Sequence, residues 1–188
     1  MVSIGIIGYR DCGKTALYCL FRKRLDTLGF SEEAGHMGGV KGKSTTATAD
    51  FLRFRSGGLI HVLYSTGGDD LRITNFYRTQ IVQKSDEFIC MFDLNAPVDP
   101  QIQFYDELFT TVGLPNRSVY VLLNKYDLVG EADVQKYMNL AEELFRDKYK
   151  MLPLEIKPSC AIEKEGYEEQ QQNAITAVLN LLKRRKKA

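Results

Sequence analysis

The chain has 188 residues, enough for one hydrophobic core and too few for two ordinary ones, so a single domain is expected. With 44% hydrophobic and 26% charged residues, and with no repeat or low-complexity stretch, its composition excludes a disordered or fibrous chain. Twenty-five basic against 24 acidic residues leave a formal net charge of +1, so no global field recommends nucleic acid as a partner.

In chain order, apolar runs of strand length alternate with helical stripes, the mark of an α/β sheet covered on both faces. Residues 2–7 read as a buried first strand, and a helix from Lys14 carries Leu17, Phe21, Leu25 and Leu28 on one side. The stretch 29–46, with Gly35, Gly38, Gly39 and Gly42, reads as a mobile connection. Residues 47–55 and 59–64 then form two strands joined by Ser56-Gly57-Gly58, an antiparallel hairpin at one edge of the sheet. A helix with Ile73, Tyr77 and Ile81 leads to Phe88–Phe92, a fully buried strand. After Pro100 comes a helix with Ile102, Tyr105 and Phe109, followed by a buried strand over 118–123. A helix over 131–149 carries Tyr137, Leu140, Ala141, Leu144 and Phe145, and Leu154-Glu155-Ile156 is a short last strand. A helix over 164–186 aligns Ile175, Val178, Leu179 and Leu182.

Residues 1–182 are therefore assigned to the domain and 183–188 to a short polybasic tail. Lys183, Arg184, Arg185, Lys186 and Lys187 could hold an anionic membrane surface at about 1 kcal/mol per charge, or form the solvated end of a helix. Cys12, Cys19, Cys90 and Cys160 lack a metal spacing and fit reduced thiols in the cytoplasm. Met1-Val2-Ser3-Ile4 is neither a myristoylation start nor a signal peptide, and the last residues form no prenylation box. No apolar run approaches the roughly 20 residues of a membrane span, so any membrane contact is expected to be peripheral.

Between the first strand and the first helix lies Gly8-Tyr9-Arg10-Asp11-Cys12-Gly13-Lys14-Thr15, the phosphate-loop pattern in its strand-to-helix context. Glycines let successive backbone N–H groups converge on phosphate oxygens, and the helix N-terminus adds its positive end. Lys14 is expected to reach the β and γ phosphates, and Thr15 offers its hydroxyl to Mg²⁺. Gly8, Arg10, Asp11, Cys12, Gly13 and Ala16 complete the expected nucleotide contacts of this loop.

At the end of the 118–123 strand stands Asn124-Lys125-Tyr126-Asp127, where ligands sit in open α/β sheets. A carboxylate at Asp127 can accept the N1 and N2 protons of guanine, a donor pair that adenine lacks. Lys125 is expected along the base or ribose, with Asn124 tying this loop to the phosphate loop. Ser159-Cys160-Ala161 follows the last strand and is a weaker candidate for a backbone N–H facing guanine O6. At residue frequencies of a few per cent, chance would place both boxes in such a chain on the order of once in ten thousand.

These boxes and the base loop occur in the order found in the Ras-like small GTPase superfamily, which the chain resembles over nearly its whole length. The resemblance implies a three-layer α/β P-loop fold, the Ras-like G domain. Its sheet would be six-stranded and mixed, with one antiparallel edge strand and five flanking helices. It also implies GTP/GDP and Mg²⁺ as ligands. Two switch segments, about 35–48 and 65–77, would engage effectors and a GTPase-activating or regulatory protein. Cys12-Gly13-Lys14-Thr15 and the run Thr46-Ala47-Thr48-Ala49-Asp50-Phe51-Leu52 are similar to the bacterial polarity GTPase MglA and archaeal relatives. The phosphate loop is also similar to that of the signal-recognition-particle receptor β subunit and the Rag GTPases. The resemblance to the polarity GTPases selects Thr46, among Thr45, Thr46 and Thr48, as the second metal ligand beside Thr15.

The chain departs from the family in the third box, where Asp-x-x-Gly-Gln is replaced by Ser65-Thr66-Gly67-Gly68-Asp69. Ser65 removes the carboxylate that holds a metal-bound water, while Gly68 can still offer its N–H to the γ-phosphate. Asp69 stands where a glutamine would orient the attacking water, and its charge repels phosphate, so intrinsic hydrolysis is expected to be slow. Asp69 and Asp70 could alternatively cap the following helix. Arg10 could stabilise the γ-phosphate in cis, obstruct a partner's arginine, or pair with Asp11 in solvent. Lys14, Thr46, Gly68, Asp69 and Arg10 are thus the expected catalytic set. His36 and His61 have no partner in metal or triad spacing and are expected in a loop and a strand.

Overall fold

The structure, a computed structural model, describes residues 1–37, 50–66, 80–112 and 117–184. Its strands are β1 (Val2–Gly8), β2 (Ser31–His36), β3 (Asp50–Ser56), β4 (Leu59–Ser65), β5 (Glu87–Asp93), β6 (Ser118–Asn124) and β7 (Leu152–Pro158). The helices are α1 (Lys14–Lys23), the helical residues 80–84 (α2), α3 (Val98–Val112), α4 (Glu131–Glu142) and α5 (Glu168–Arg184). The strands form one sheet in the order β2-β3-β4-β1-β5-β6-β7. β1 runs parallel to β4 and β5, and β6 and β7 continue the parallel half, whereas β3 is antiparallel to both its neighbours.

Side-chain alternation divides the core between two faces, as period-two strands require. Ile4, Ile6, Ile89, Met91, Tyr120 and Leu122 meet Leu17 and Phe21 of α1 and Ile175 and Val178 of α5. Ile7, Phe88, Phe92, Val121 and Leu123 meet Tyr105 and Phe109 of α3, Ala141 of α4 and Phe145. This arrangement holds the C-terminal ends of β1, β5 and β6 side by side at one rim of the sheet.

Several expectations are corrected. The sheet has seven strands, because part of the glycine-rich stretch assigned to a connection is β2, and β2 caps the hairpin that was expected to form the edge. Every residue of β2 is exposed, so its sequence carries no buried alternation. Backbone pairing to β3 and ion pairs of Glu32 with Arg22, and of Glu33 with Arg53 and Arg55, hold it instead. His36 accordingly ends a strand rather than lying in a loop, and its ring stacks on Phe51 with centroids 6.0 Å apart. The helix expected over 131–149 changes at Glu143 into a π-helical segment, Glu143–Lys148, and the last helix begins at Glu168 rather than 164.

Tyr105 links the core to the functional rim. Its ring is fully buried among Phe92, Phe104, Phe109 and Phe145, and its hydroxyl donates to the carbonyls of Met91 (2.9 Å) and Ile7 (3.3 Å). Burial pushes the Tyr105 phenol well above its ordinary range, so it stays a donor. Tyr105→Phe is expected to lower stability by about 1–2 kcal/mol, read as a reduced urea midpoint at unchanged slope. An unchanged midpoint would show that these two bonds contribute nothing net.

Candidate functional site

The phosphate loop spans from the end of β1 to the start of α1, and its turn depends on two glycines. Gly13 has φ 100°, and a Cβ there would lie 2.1 Å from Asn124 Nδ2. At Gly8 a Cβ would lie 2.5 Å from the Cys12 sulfur and 2.7 Å from the Met91 carbonyl oxygen. Both positions exclude any side chain. Asp11 also takes a left-handed conformation, φ 58°, which aspartate tolerates better than most residues.

Lys14 is only 5% exposed, and its ammonium donates to the carbonyls of Gly8 (2.9 Å) and Tyr9 (2.8 Å) inside the loop. The loop thus curls around the lysine's own ammonium. Burial pushes the Cys12 thiol up, with Lys14 opposing, so Cys12 packs beneath the loop as a neutral side chain. Ala16 packs at the edge of the α1 core. Arg10 is exposed, with its guanidinium carbon 5.7 Å from the Tyr9 ring centroid. Among the described residues it forms no ion pair with Asp11, and its contact with the preceding aromatic is of the cation–π kind.

Asn124 joins the three loops. Its Nδ2 donates to the Cys12 carbonyl at 2.8 Å, and its Oδ1 accepts from the Ala161 N–H at 2.9 Å and the Ser159 hydroxyl at 3.3 Å. Phosphate loop, Asn124 box and Ser159-Cys160-Ala161 are therefore fixed to one another through a single buried amide. Lys125 has φ 64°, and its ammonium binds Asp93 Oδ2 at 2.5 Å rather than standing free over the cleft. Asp127 sits on the short 3₁₀ turn Tyr126–Leu128, with Oδ1 3.6 Å from the Cys160 thiol and Oδ2 2.8 Å from the Lys164 ammonium. Burial raises the Cys160 thiol, and the bond to Asp127 raises Lys164 above its ordinary value.

Sequence reasoning missed Asp50. The Thr15 hydroxyl donates to Asp50 Oδ2 at 3.0 Å, and Asp50 is 1% exposed. Asp50 stands directly across the ladder from Ser65, the residue that replaces the usual third-box carboxylate. Its burial is in phase with Leu52 and Phe54, while Phe51, Arg53 and Arg55 face solvent. An acidic residue in phase with a core stripe was the available signal, since burying a carboxylate is costly unless it has work to do. Beside it, Ser65 Oγ and Thr66 Oγ1 are buried without a hydrogen-bond partner among the described residues.

Thr45, Thr46, Thr48, Gly68, Asp69 and Asp70 lie outside the described residues. The four cysteines are free, and no cluster of His, Cys, Asp or Glu able to hold a metal occurs among the described residues. His61 is buried in β4 beside Phe54, with centroids 5.6 Å apart.

The fold is shared with solved structures of GTP-binding proteins. Translation elongation factor SelB from Methanococcus maripaludis, solved with the GTP analogue GppNHp, superposes with a TM-score of 0.64 at 16% identity. That match covers 97% of this chain and 34% of SelB. A GTP-binding protein from the hyperthermophilic archaeon Sulfolobus solfataricus, solved in complex with GDP, gives 0.61 at 20% identity, covering 96% of this chain and 53% of that protein. The bacterial selenocysteine-specific elongation factor EF-Sec gives 0.62 at 15% identity, covering 97% and 28%. Likeness at these identities is one of fold, and the chain spans about a third to a half of these proteins' lengths. No protein-family model and no curated protein sequence matches the chain.

Proposed function

We propose that the chain is a GTP-binding domain that cycles slowly between GTP and GDP states and presents that state to partner proteins. The observation that carries this reading is the Asn124 amide. It ties the phosphate loop and the Ser159–Ala161 loop to the strand end that carries Asp127, which supports reading them together as one guanine-nucleotide site. SelB and the Sulfolobus protein, bound to a GTP analogue and to GDP, support the same ligand class. Lys14 would trade its loop carbonyls for phosphate oxygens, the loop N–H groups would receive the phosphate charge, and Asp127 would accept the guanine N–H pair.

The residues also fit Mg²⁺. The Thr15 hydroxyl already bonds a buried carboxylate, and Ser65, whose buried hydroxyl has no hydrogen-bond partner among the described residues, stands across the ladder from that carboxylate. Thr15 and Thr46 would hold the ion, with Asp50 behind Thr15 supplying the charge that Ser65 lacks; bound there, Mg²⁺ neutralises charge on the β and γ oxygens. Asp50 lies within the run 46–52 on which the chain resembles the polarity GTPases.

Hydrolysis is proposed to be slow because Asp69 replaces the water-orienting glutamine, leaving Lys14, Gly68 and Arg10 to stabilise the transferring phosphoryl group. Residues 35–48 and 65–77 are the segments where an effector or a GTPase-activating protein would read the nucleotide. No helix among the described residues is long and apolar enough to cross a membrane. We place the domain in the cytoplasm. Lys183 and Arg184, in the last turn of α5, and the three basic residues that follow them in the sequence would make any peripheral contact with anionic lipid. Single-turnover hydrolysis of GTP is the test. Slow turnover that cell extract accelerates is expected, whereas none under any condition would leave a GTP-holding platform that does not cycle.

A further inference from the structure

Asp127, the residue read above as the reader of the base, already has both carboxylate oxygens engaged by this chain's own donors. Cys160 approaches Oδ1, and Lys164 holds Oδ2 at 2.8 Å. The Asp127 side chain is only 6% exposed, whereas Lys164 is 41% exposed and belongs to the loop before α5. A guanine edge must present its two N–H donors to the same two oxygens. Each oxygen keeps a second acceptor direction, but a side chain only 6% exposed can receive them only where its cover moves aside.

Of the two donors, Lys164 is the one able to move. The loop backbone is anchored on both sides, with Gln171 Nε2 donating to the Lys164 carbonyl at 2.7 Å and the Cys160 thiol directed also at the Ile162 carbonyl. The lysine side chain is long, half-exposed and free to turn about its own rotamers. From this same position its ammonium already lies 5.1 Å from the Tyr167 ring centroid, which makes the ring its nearest alternative partner. Tyr167 is itself held edge-on by Tyr126, the neighbour of Asp127. The ammonium therefore touches both the carboxylate and the ring, and a side-chain rotation toward the ring would uncover the carboxylate without a loop movement.

We infer that Lys164 is an intramolecular competitor for the base-reading carboxylate, displaced toward Tyr167 when a guanine nucleotide binds. Lys164 then sets affinity and association rate without touching phosphate. It also screens the site, because only a ligand with two donors matching the carboxylate replaces what the ammonium supplies. A base with one donor would give up a charge-assisted bond for a weaker neutral one.

This inference rests on Asp127 being the base reader, and the two can fail separately. Association and dissociation of fluorescently labelled GDP would be followed by stopped flow for the wild type, Lys164→Ala and Lys164→Gln. Both variants are expected to bind GDP about 3- to 10-fold more tightly, through faster association, as a partly exposed ion pair is removed from competition. The same substitutions are then placed on Asp127→Asn and read with labelled xanthosine diphosphate, where their effect is expected to vanish. Weaker or unchanged GDP binding in both Lys164 variants would overturn the competitor role and make Lys164 a support or a bystander. If Asp127→Asn alone leaves the guanine-over-xanthine preference intact, the base reading itself is wrong and the Lys164 inference falls with it.

Discussion

Asp127→Asn is expected to turn the chain from a guanine to a xanthine binder, with a swing in relative affinity on the order of 10⁴-fold. In the wild type the carboxylate accepts only, which suits the N1–H and N2–H donors of guanine. Asparagine places an N–H donor where one acceptor stood, so guanine N2 meets a like donor while the O2 carbonyl of xanthine finds a partner. The substitution changes one atom and no volume, and Asn124, which organises the surrounding loops, is untouched. Competition of xanthosine and guanosine diphosphates against labelled nucleotide reads the swing directly. An unaltered preference would remove Asp127 from the base site.

The second large effect is expected at Asp50. Asp50→Asn keeps an oxygen for the Thr15 hydroxyl but removes the only charge that the strand pair β3–β4 supplies beside Thr15 among the described residues. Retention of GDP in Mg²⁺ is expected to fall about 10- to 100-fold, the usual cost of losing a carboxylate that supports a metal ligand. Retention in a chelator should hardly change. The ladder offers a rescue: Asp50 faces Ser65, so Ser65→Asp in the Asp50→Asn background should restore much of the Mg²⁺ effect. Equal sensitivity to chelator in wild type and Asp50→Asn would show that the carboxylate does not serve the metal.

Much of the site was legible in the sequence because its chemistry is local. Gly8–Thr15 and Asn124–Asp127 are short runs whose backbone geometry and donor pattern follow from adjacent residues and from the ends of apolar strands. The central strands were legible because β1, β5 and β6 are buried on both faces and read as continuous apolar runs. β2 was not, because Ser31-Glu32-Glu33-Ala34-Gly35-His36 has neither strand propensity nor a buried face, and is held by ion pairs with α1 and β3 that no local pattern encodes.

Asp50 and Lys164 were illegible for a different reason. Asp50 meets Thr15 across 35 positions, and Lys164 meets Asp127 across 37. Asp50 is brought there by the antiparallel pairing of β3, and Lys164 by the parallel crossover from β6 to β7. For Asp50 the period-two phase with Leu52 and Phe54 gave a partial hint. Lys164 stands in a polar loop without periodicity, and nothing short of the folded chain shows where its ammonium rests. The ion pair of Lys125 with Asp93 is of the same kind, joining the ends of two neighbouring strands.

All of this depends on one pocket that binds a phosphate chain at Lys14 and selects guanine at Asp127. Displacement of labelled GDP from the wild-type chain by unlabelled GTP and by ATP, at matched Mg²⁺, tests it most directly. GTP should compete at stoichiometric concentration while ATP fails at a thousandfold excess; equal competition by the two would contradict the assignment of Asp127 and with it the GTP-binding function.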